Sequence, residues 1–233
     1  MAPRGPAAAA RRPAWPFGVG ERADYEVRFG PLRVGNGTME ITGVDTVRGR
    51  PAFHSVMRVR GGTLFYKVDD RYESWWDTTT LSSYRHRQDL DEGRKERERL
   101  FEIFPAEGYY LRDGSEERQP TVAQPLDDGS FFYFVRTIPL QVGRSYTFNR
   151  YFRPDRNPVV IRVVRREKVT VPAGTFDAVV IQPQIKTRGI FGENGKAEIW
   201  LSDDERRVML QMQTRLKFGS LNLYLKSYQP PAR

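Results

Sequence analysis

Val208-Met209-Leu210-Gln211-Met212-Gln213-Thr214-Arg215-Leu216-Lys217-Phe218 alternates with a period of two. Val208, Leu210, Met212, Thr214, Leu216 and Phe218 fall on one face of an extended chain, while Arg207, Gln211, Gln213, Arg215 and Lys217 fall on the other; Met209 alone breaks the polarity. Successive side chains of a strand point to opposite faces, so this is the pattern of a long strand with one face in a core and one toward water. Gly219-Ser220 then reads as a two-residue hairpin loop with glycine first, followed by Leu221, Leu223 and Leu225 alternating with Asn222, Tyr224 and Lys226. The chain is predicted to finish in a β-hairpin.

The same period runs outward from this hairpin through most of the chain. Arg22–Phe29, Gly37–Val44, Ala52–Arg60, Thr63–Asp77, Arg144–Phe152, Val159–Val169, Phe176–Thr187 and Lys196–Leu201 read as strands, being rich in β-branched and aromatic residues. Gly35-Asn36-Gly37, Arg48-Gly49-Arg50-Pro51, Gly61-Gly62, Val171-Pro172-Ala173-Gly174 and Glu193-Asn194-Gly195 read as turns between them. Strands joined by tight turns pair antiparallel, because a parallel crossover needs a dozen or more residues. The expected fold is mainly β: a long-stranded antiparallel meander forming a curved sheet, half-barrel or barrel, with one or two short helices. Leu126 to Ile138 is the helix candidate, opening at Asp127-Asp128 and stopped by Pro139. Glu92 to Phe104 suits either a helix or a charged edge strand, and the surrounding meander favours strand. Residues 17–228 are expected to form a single β domain between a disordered N-terminal tail at 1–16 and a short C-terminal tail at 229–233.

At 233 residues, 39% of them hydrophobic, a single domain buries roughly 70% of the surface of its unfolded chain. No run approaches the roughly 18 apolar residues of a membrane-spanning helix. Cys is absent, which excludes disulfides, thiol catalysis, cysteine zinc sites and iron–sulfur clusters. Against 29 Asp+Glu stand 38 Lys+Arg, of which 31 are Arg, giving a net charge of +9. Much of that charge alternates with acid, as in Arg94-Lys95-Glu96-Arg97-Glu98-Arg99, which describes a self-paired solvated face, so nucleic acid is not an expected partner. A bias toward anionic membrane surfaces remains. No signal peptide is visible in the chain: Ala7 to Ala10 is too short for an apolar segment, and none follows Arg11-Arg12.

Few residues are equipped for catalysis. The two histidines, His54 and His86, lie in different predicted strands; no Gly-x-Ser-x-Gly elbow accompanies them, and each reads as a surface or sheet-face residue. Neither a metal site nor a nucleotide-binding glycine motif is present, so no cofactor is expected. The densest constellation runs from Phe65 to Asp77. On a single strand, Leu64, Tyr66, Val68, Tyr72 and Trp76 would face the core with Asp70 among them. Phe65, Lys67, Asp69, Arg71, Glu73, Trp75 and Asp77 would share the other face as a candidate ligand-binding ladder, where aromatics stack and charges fix hydroxyls or phosphates. The same ladder equally suits plain ion pairing across a solvated face. Asp69 and Glu73 would lie about 13 Å apart, beyond the roughly 5–9.5 Å of glycosidase pairs. Asp203-Asp204-Glu205 reads as a solvated hairpin tip. Ile190 and Phe191, set between Gly189 and Gly192, form a candidate interaction loop.

Several of these motifs, in order, resemble a bacterial envelope family known as domain of unknown function 3108. They are Val19-Gly20-Glu21 with Tyr25 and Val27, Phe65 to Arg71 with Glu73-Ser74 and Asp77, Val171-Pro172-Ala173-Gly174-Thr175-Phe176, and Ile199 to Asp204 with Arg206-Arg207. The resemblance implies a periplasmic or lipid-anchored protein with a mainly antiparallel sheet similar to the half-barrels of lipoprotein carriers. It also favours strand for Glu92 to Phe104 and supplies no catalytic residue. The leading expectation is therefore a non-enzymatic envelope protein binding a lipid or other amphipathic ligand on a concave sheet face. Next comes a protein-interaction module of an envelope assembly, and last a carboxylate-based hydrolase of cell-wall sugars.

Overall fold

The structure is a computed structural model that describes residues 14–63, 66–92, 95–185, 197–216 and 219–232. Its strands are β1 (Arg22–Phe29), β2 (Leu32–Val47), β3 (Arg50–Thr63), β4 (Tyr66–Asp77), β5 (Ser83–Glu92), β6 (Lys95–Phe104) and β7 (Tyr109–Arg112). They continue with β8 (Gln119–Pro120), β9 (Ser145–Phe148), β10 (Val159–Val171), β11 (Gly174–Gln184), β12 (Glu198–Ser202), β13 (Met209–Leu216) and β14 (Gly219–Gln229). All belong to one antiparallel sheet in the order β8-β7-β6-β5-β4-β3-β2-β1-β14-β13-β12-β11-β10-β9, and the sheet is not closed. The meander is as expected, and so is strand for the Glu92 to Phe104 stretch: Glu92 ends β5, Lys95–Phe104 is β6, and 93–94 lie outside the described residues. Two wings, β1 to β8 and β9 to β14, meet at a single seam where β1 pairs with β14, Arg22 opposite Gln229 and Phe29 opposite Leu221.

Three turns fall elsewhere than glycine suggested. Gly35-Asn36-Gly37 lies inside β2, and the β1–β2 turn is at Gly30-Pro31, where Gly30 has a φ of +57°. Gly61-Gly62 lies inside β3, which runs on to Thr63 opposite Tyr66. These glycines answer a close approach of strands: a Cβ on Gly35 would sit 2.0 Å from the Arg60 carbonyl oxygen, and one on Gly61 2.3 Å from that of Val34. Gly219 and Ser220 are likewise ladder residues, opposite Leu216 and Arg215, so the β13–β14 connection is 217–218, outside the described residues.

The helix is shorter than expected. Of the candidate stretch only α1 (Ser130–Phe134) is helical. Its start is fixed by Asp127, whose Oδ1 accepts the backbone N–H groups of Gly129 and Ser130. At its end the bonds tighten to i→i−3, Arg136 to Tyr133 and Thr137 to Phe134, which stops the helix before Pro139. All five α1 residues are buried. The segments on either side of β9, residues 121–140 with α1 and residues 149–157, run as a strap between the two wings: Leu126 pairs with Tyr151, and Thr121 Oγ1 donates to the Phe152 carbonyl.

The core lies between the strap and the base of the sheet, the end bearing the 48–49 and 78–82 turns. Trp76, Tyr25, Ile41, Ile103, Leu201 and Leu210 are fully buried there. Tyr133 of α1 stacks on Trp76 at 5.1 Å, and Phe17 sets its edge against both rings. Trp15, in the expected tail, donates its indole N–H to the Thr78 carbonyl. Beside this packing Arg136 and Glu21, both buried, form an ion pair, with Tyr228 donating to Glu21 Oε2. The cavity next to that pair, lined by Tyr25, Met39, Phe132 and Met209 among others, is about 20 Å³, room for a water molecule.

Candidate ligand-binding face

The predicted ladder of β4 is on the outer face of the sheet, and its charges face one another. Arg58 grips Asp69 with two hydrogen bonds of 2.8 Å, and Arg60 adds a longer contact to the same carboxylate. Glu73 accepts from Arg71 at 3.1 Å and lies 2.9 Å from His54 Nε2. His54 stacks on Trp75 at 4.3 Å, and the Trp75 indole donates to Asp45. Asp77 caps the following turn through the N–H groups of Thr79 and Thr80 and accepts the Tyr84 hydroxyl. Arg58 holds the Asp69 carboxyl below the usual range; for Glu73, burial acts upward, but Arg71 and His54 outweigh it and keep the group low. Lys67 is exposed, and Phe65, Ile190 and Phe191 lie outside the described residues. At the tip between β12 and β13, Asp204 accepts the N–H groups of Arg206 and Arg207, closing the turn on itself.

On the inner face the structure assembles a group that sequence reading missed. His86, expected at a surface or sheet face, is completely buried on β5. Its Nδ1 lies 3.2 Å from Ser74 Oγ and 3.0 Å from the Glu73 carbonyl oxygen. Its Nε2 lies 3.5 Å from Asp128 Oδ2 and 3.0 Å from the Gln88 amide nitrogen, which donates to that same carboxylate. Tyr151 donates to Asp128 Oδ1 and is in turn contacted by Arg156. Burial acts to lower the His86 pKa, yet the Asp127 and Asp128 carboxylates more than compensate and hold it above the ordinary value. Asp128 is pushed up by burial and drawn down further by His86, Tyr151 and Arg156. The network ties β4 and β5 to the strap.

Serine, histidine and aspartate together invite comparison with a nucleophilic triad, and the geometry argues against one. Ser74 Oγ donates to Asp127 Oδ1 at 2.7 Å, so its proton is directed away from the imidazole. Gly129 covers the hydroxyl so closely that a Cβ there would be 2.4 Å from Ser74 Oγ. A nucleophile without room for a carbonyl carbon has no reaction to perform. Among the described residues no group of three or more His, Asp or Glu is placed to hold a metal ion.

Away from the base, burial falls along the same inner face. On β4 it runs from Trp76 and Ser74, buried, to Tyr72 and Val68, half-buried, with Asp70 between them still buried; on β3, β5 and β14 it ends in half-buried Met57 and Val59, Leu90, and Leu221. Phe29 at the end of β1 is 40% exposed. On β6, Phe101 and Ile103 are buried, whereas Arg99 is half-buried and Arg97 exposed. Period two puts these four residues on one face, and the unbroken β5–β6 register sets Arg97 beside Leu90 and Arg99 beside Gln88. The β7 pairing reaches Phe101, and Leu100 exchanges hydrogen bonds with Asp113, so among the described residues β6 has no strand on its far side over Lys95–Arg99. The inner face therefore has two parts, one filled by α1 and the strap and one apolar wall near the hairpin tips that is only half covered.

The profile of the family described as "Protein of unknown function (DUF3108)" matches residues 24–226. No curated protein matches the chain. Among solved structures it is similar to a β-barrel-like protein of domain of unknown function DUF1849 from Brucella abortus, at 10% identity and a TM-score of 0.57, covering 93% of this chain and 99% of that one. It is also similar to a "putative lipoprotein" from Parabacteroides distasonis, at 12% identity and a TM-score of 0.41, covering 92% and 97%. At these identities the first likeness speaks for the fold alone.

Proposed function

The chain belongs to the DUF3108 family of proteins of unknown function, and we propose that it is a non-enzymatic envelope protein that holds an acyl-chain amphiphile against the tip-ward inner face of β3 to β6. One observation carries this reading. The inner face is closely packed at its base, while near the tips half-buried Met57, Val59, Val68, Tyr72 and Leu90 form a mostly apolar wall around buried Asp70. A wall of that kind costs free energy in water, and covering it with a hydrocarbon chain recovers roughly 25 cal/mol for each Å² removed. The filled base narrows the expected site: a ligand occupies part of the concave face. The envelope location rests on the family resemblance.

Extraction of the natively purified protein with organic solvent, followed by mass spectrometry, tests the reading. An acyl-chain compound is expected in near-stoichiometric amount, and Val59→Trp, which fills the wall, is expected to lose it while folding normally. An empty extract together with failure to bind a fluorescent fatty-acid probe would sink the proposal. A hydrolase is disfavoured by the enclosure of Ser74 and by the self-paired carboxylates of the outer ladder. An interaction through the uncovered edge of β6 meets the alternating charges of Glu96 to Arg99, which repel strand addition.

A further inference from the structure

We infer that the amphiphile carries an anionic head group, a carboxylate or phosphate monoester, held by Arg97 and Arg99; the inference rests on the function proposed above and narrows it. The argument is one of pairing. Arginines of the outer face beside this region have carboxylate partners: Arg58 has Asp69, Arg71 has Glu73, Arg85 has Glu102, and Arg87 has Asp89 and Glu98. Arg97 and Arg99, on the inner face, have no ion pair or hydrogen bond among the described residues. They are two residues apart on one strand, so their backbones lie about 7 Å from each other and both guanidinium groups can reach one small anion. Guanidinium is the side chain best matched to such a head, since its planar fork donates two parallel hydrogen bonds to a carboxylate or phosphate.

Position makes the pair more than a surface charge. The half-covered wall of Leu90, Val68, Val59 and Met57 begins on the neighbouring strand and extends away across β4 and β3, giving an acyl chain a path from the cations into the apolar face. Among the described residues no strand covers the β6 edge at Arg97 and Arg99, so a head group reaches the pair from solvent while its chain lies inward. Among the described side chains Asp70 is the acidic group on the same wall; it is buried, and it aligns with Leu90 and Arg97 across two strands, with backbones about 10 Å apart.

Displacement of a bound fluorescent fatty acid separates the possibilities, with palmitate, hexadecanol, hexadecylamine and inorganic phosphate as competitors. Palmitate is expected to compete at least roughly tenfold better than hexadecanol or hexadecylamine, a difference the doubly charge-reversed variant Arg97→Glu/Arg99→Glu removes. Arg97→Lys/Arg99→Lys, which keeps charge and loses the fork, should retain part of the preference. Phosphate alone should not displace the probe, and if it did, the pair would be a free-anion site. Equal competition by all three chains, unchanged on charge reversal, overturns the head-group assignment and leaves the amphiphile reading standing. No binding of any chain overturns both. Unfolding midpoints of the variants, expected to match the parent because both arginines lie outside the buried core, show whether folding was affected.

Discussion

The two ends of one inner face differ more than the two faces of the sheet. At the base Trp76 meets Phe17 and Tyr133 of α1, Trp15 bonds to Thr78, and the polar side chains of Ser74 and His86 are tied to the strap. Toward the tips the same strands carry half-buried Met57, Val59, Val68, Tyr72 and Leu90. The difference comes from the strap, which among the described residues meets these strands at the level of Ser74, Ser83, His86 and Gln88. Where it passes, the protein has a core; beyond it, a surface.

Substitutions on one strand pair test that contrast most strongly. Trp76→Ala at the base is expected to cost about 3–5 kcal/mol in urea unfolding, whereas Leu90→Ala near the tips should cost no more than about 1 kcal/mol. Equal losses would erase the distinction. Glu21→Ala leaves Arg136 buried without its partner and should cost about 3–5 kcal/mol, partly restored by adding Arg136→Leu. On the outer face Asp69→Ala removes a solvated pair and is expected to stay within about 1 kcal/mol. Gly129→Ala drives a methyl group into Ser74 Oγ, a cost of about 1–3 kcal/mol, and Ser74→Gly in the same chain should recover part of it.

The smallest effect is in the pH profile of stability. Asp128 is more acidic in the folded state, so its contribution is present above the unfolded value near 3.9 and fades as pH falls through the folded value. Asp69, Glu73 and Asp77 add to that acid limb in the same sense. His86 is more basic in the folded state, so its contribution is complete below about pH 6.5 and is lost as pH rises through the folded value. Stability should peak in weakly acidic solution, and His86→Gln should abolish the decline near neutrality, shrink the Asp128 share of the acid limb, and leave the share of Asp69, Glu73 and Asp77 in place. A second alkaline loss begins above about pH 10, where buried tyrosines resist ionising, Tyr228 being pushed up to about 12. An unchanged profile in His86→Gln would show that the strap is not held by charge.

What could be read from the chain follows from the range of the forces. Alternation in Val208 to Leu216 and in Tyr66 to Asp77 is a local property, and strands, faces and the outer pairing of Asp69 and Glu73 came through it. Glycine misled because one residue serves two needs: Gly35 and Gly61 permit a close strand approach, which a search for turns reads as a break. His86 was unreadable because the acids that bury and charge it, Asp127 and Asp128, are some 40 residues away and arrive only when the strap folds back. The division of the inner face depends on α1, and five helical residues are too few to show a period. That Arg97 and Arg99 have no ion pair among the described residues was equally hidden, since in the sequence each has an acidic neighbour that the strand points to the opposite face.

The seam between β1 and β14 has a mechanical consequence. Because these strands run antiparallel, Arg22 and Gln229 lie side by side at the base, and the other hydrogen bonds of the seam are stacked behind them toward Phe29 and Leu221. Tension applied at residues 22 and 229 therefore loads one pair of bonds at a time, as in opening a zipper, and parts the two wings at low force. Tension applied at residue 22 and residue 219 would load the whole seam in shear at once. The same protein would thus be weak or strong under load according to where it is held.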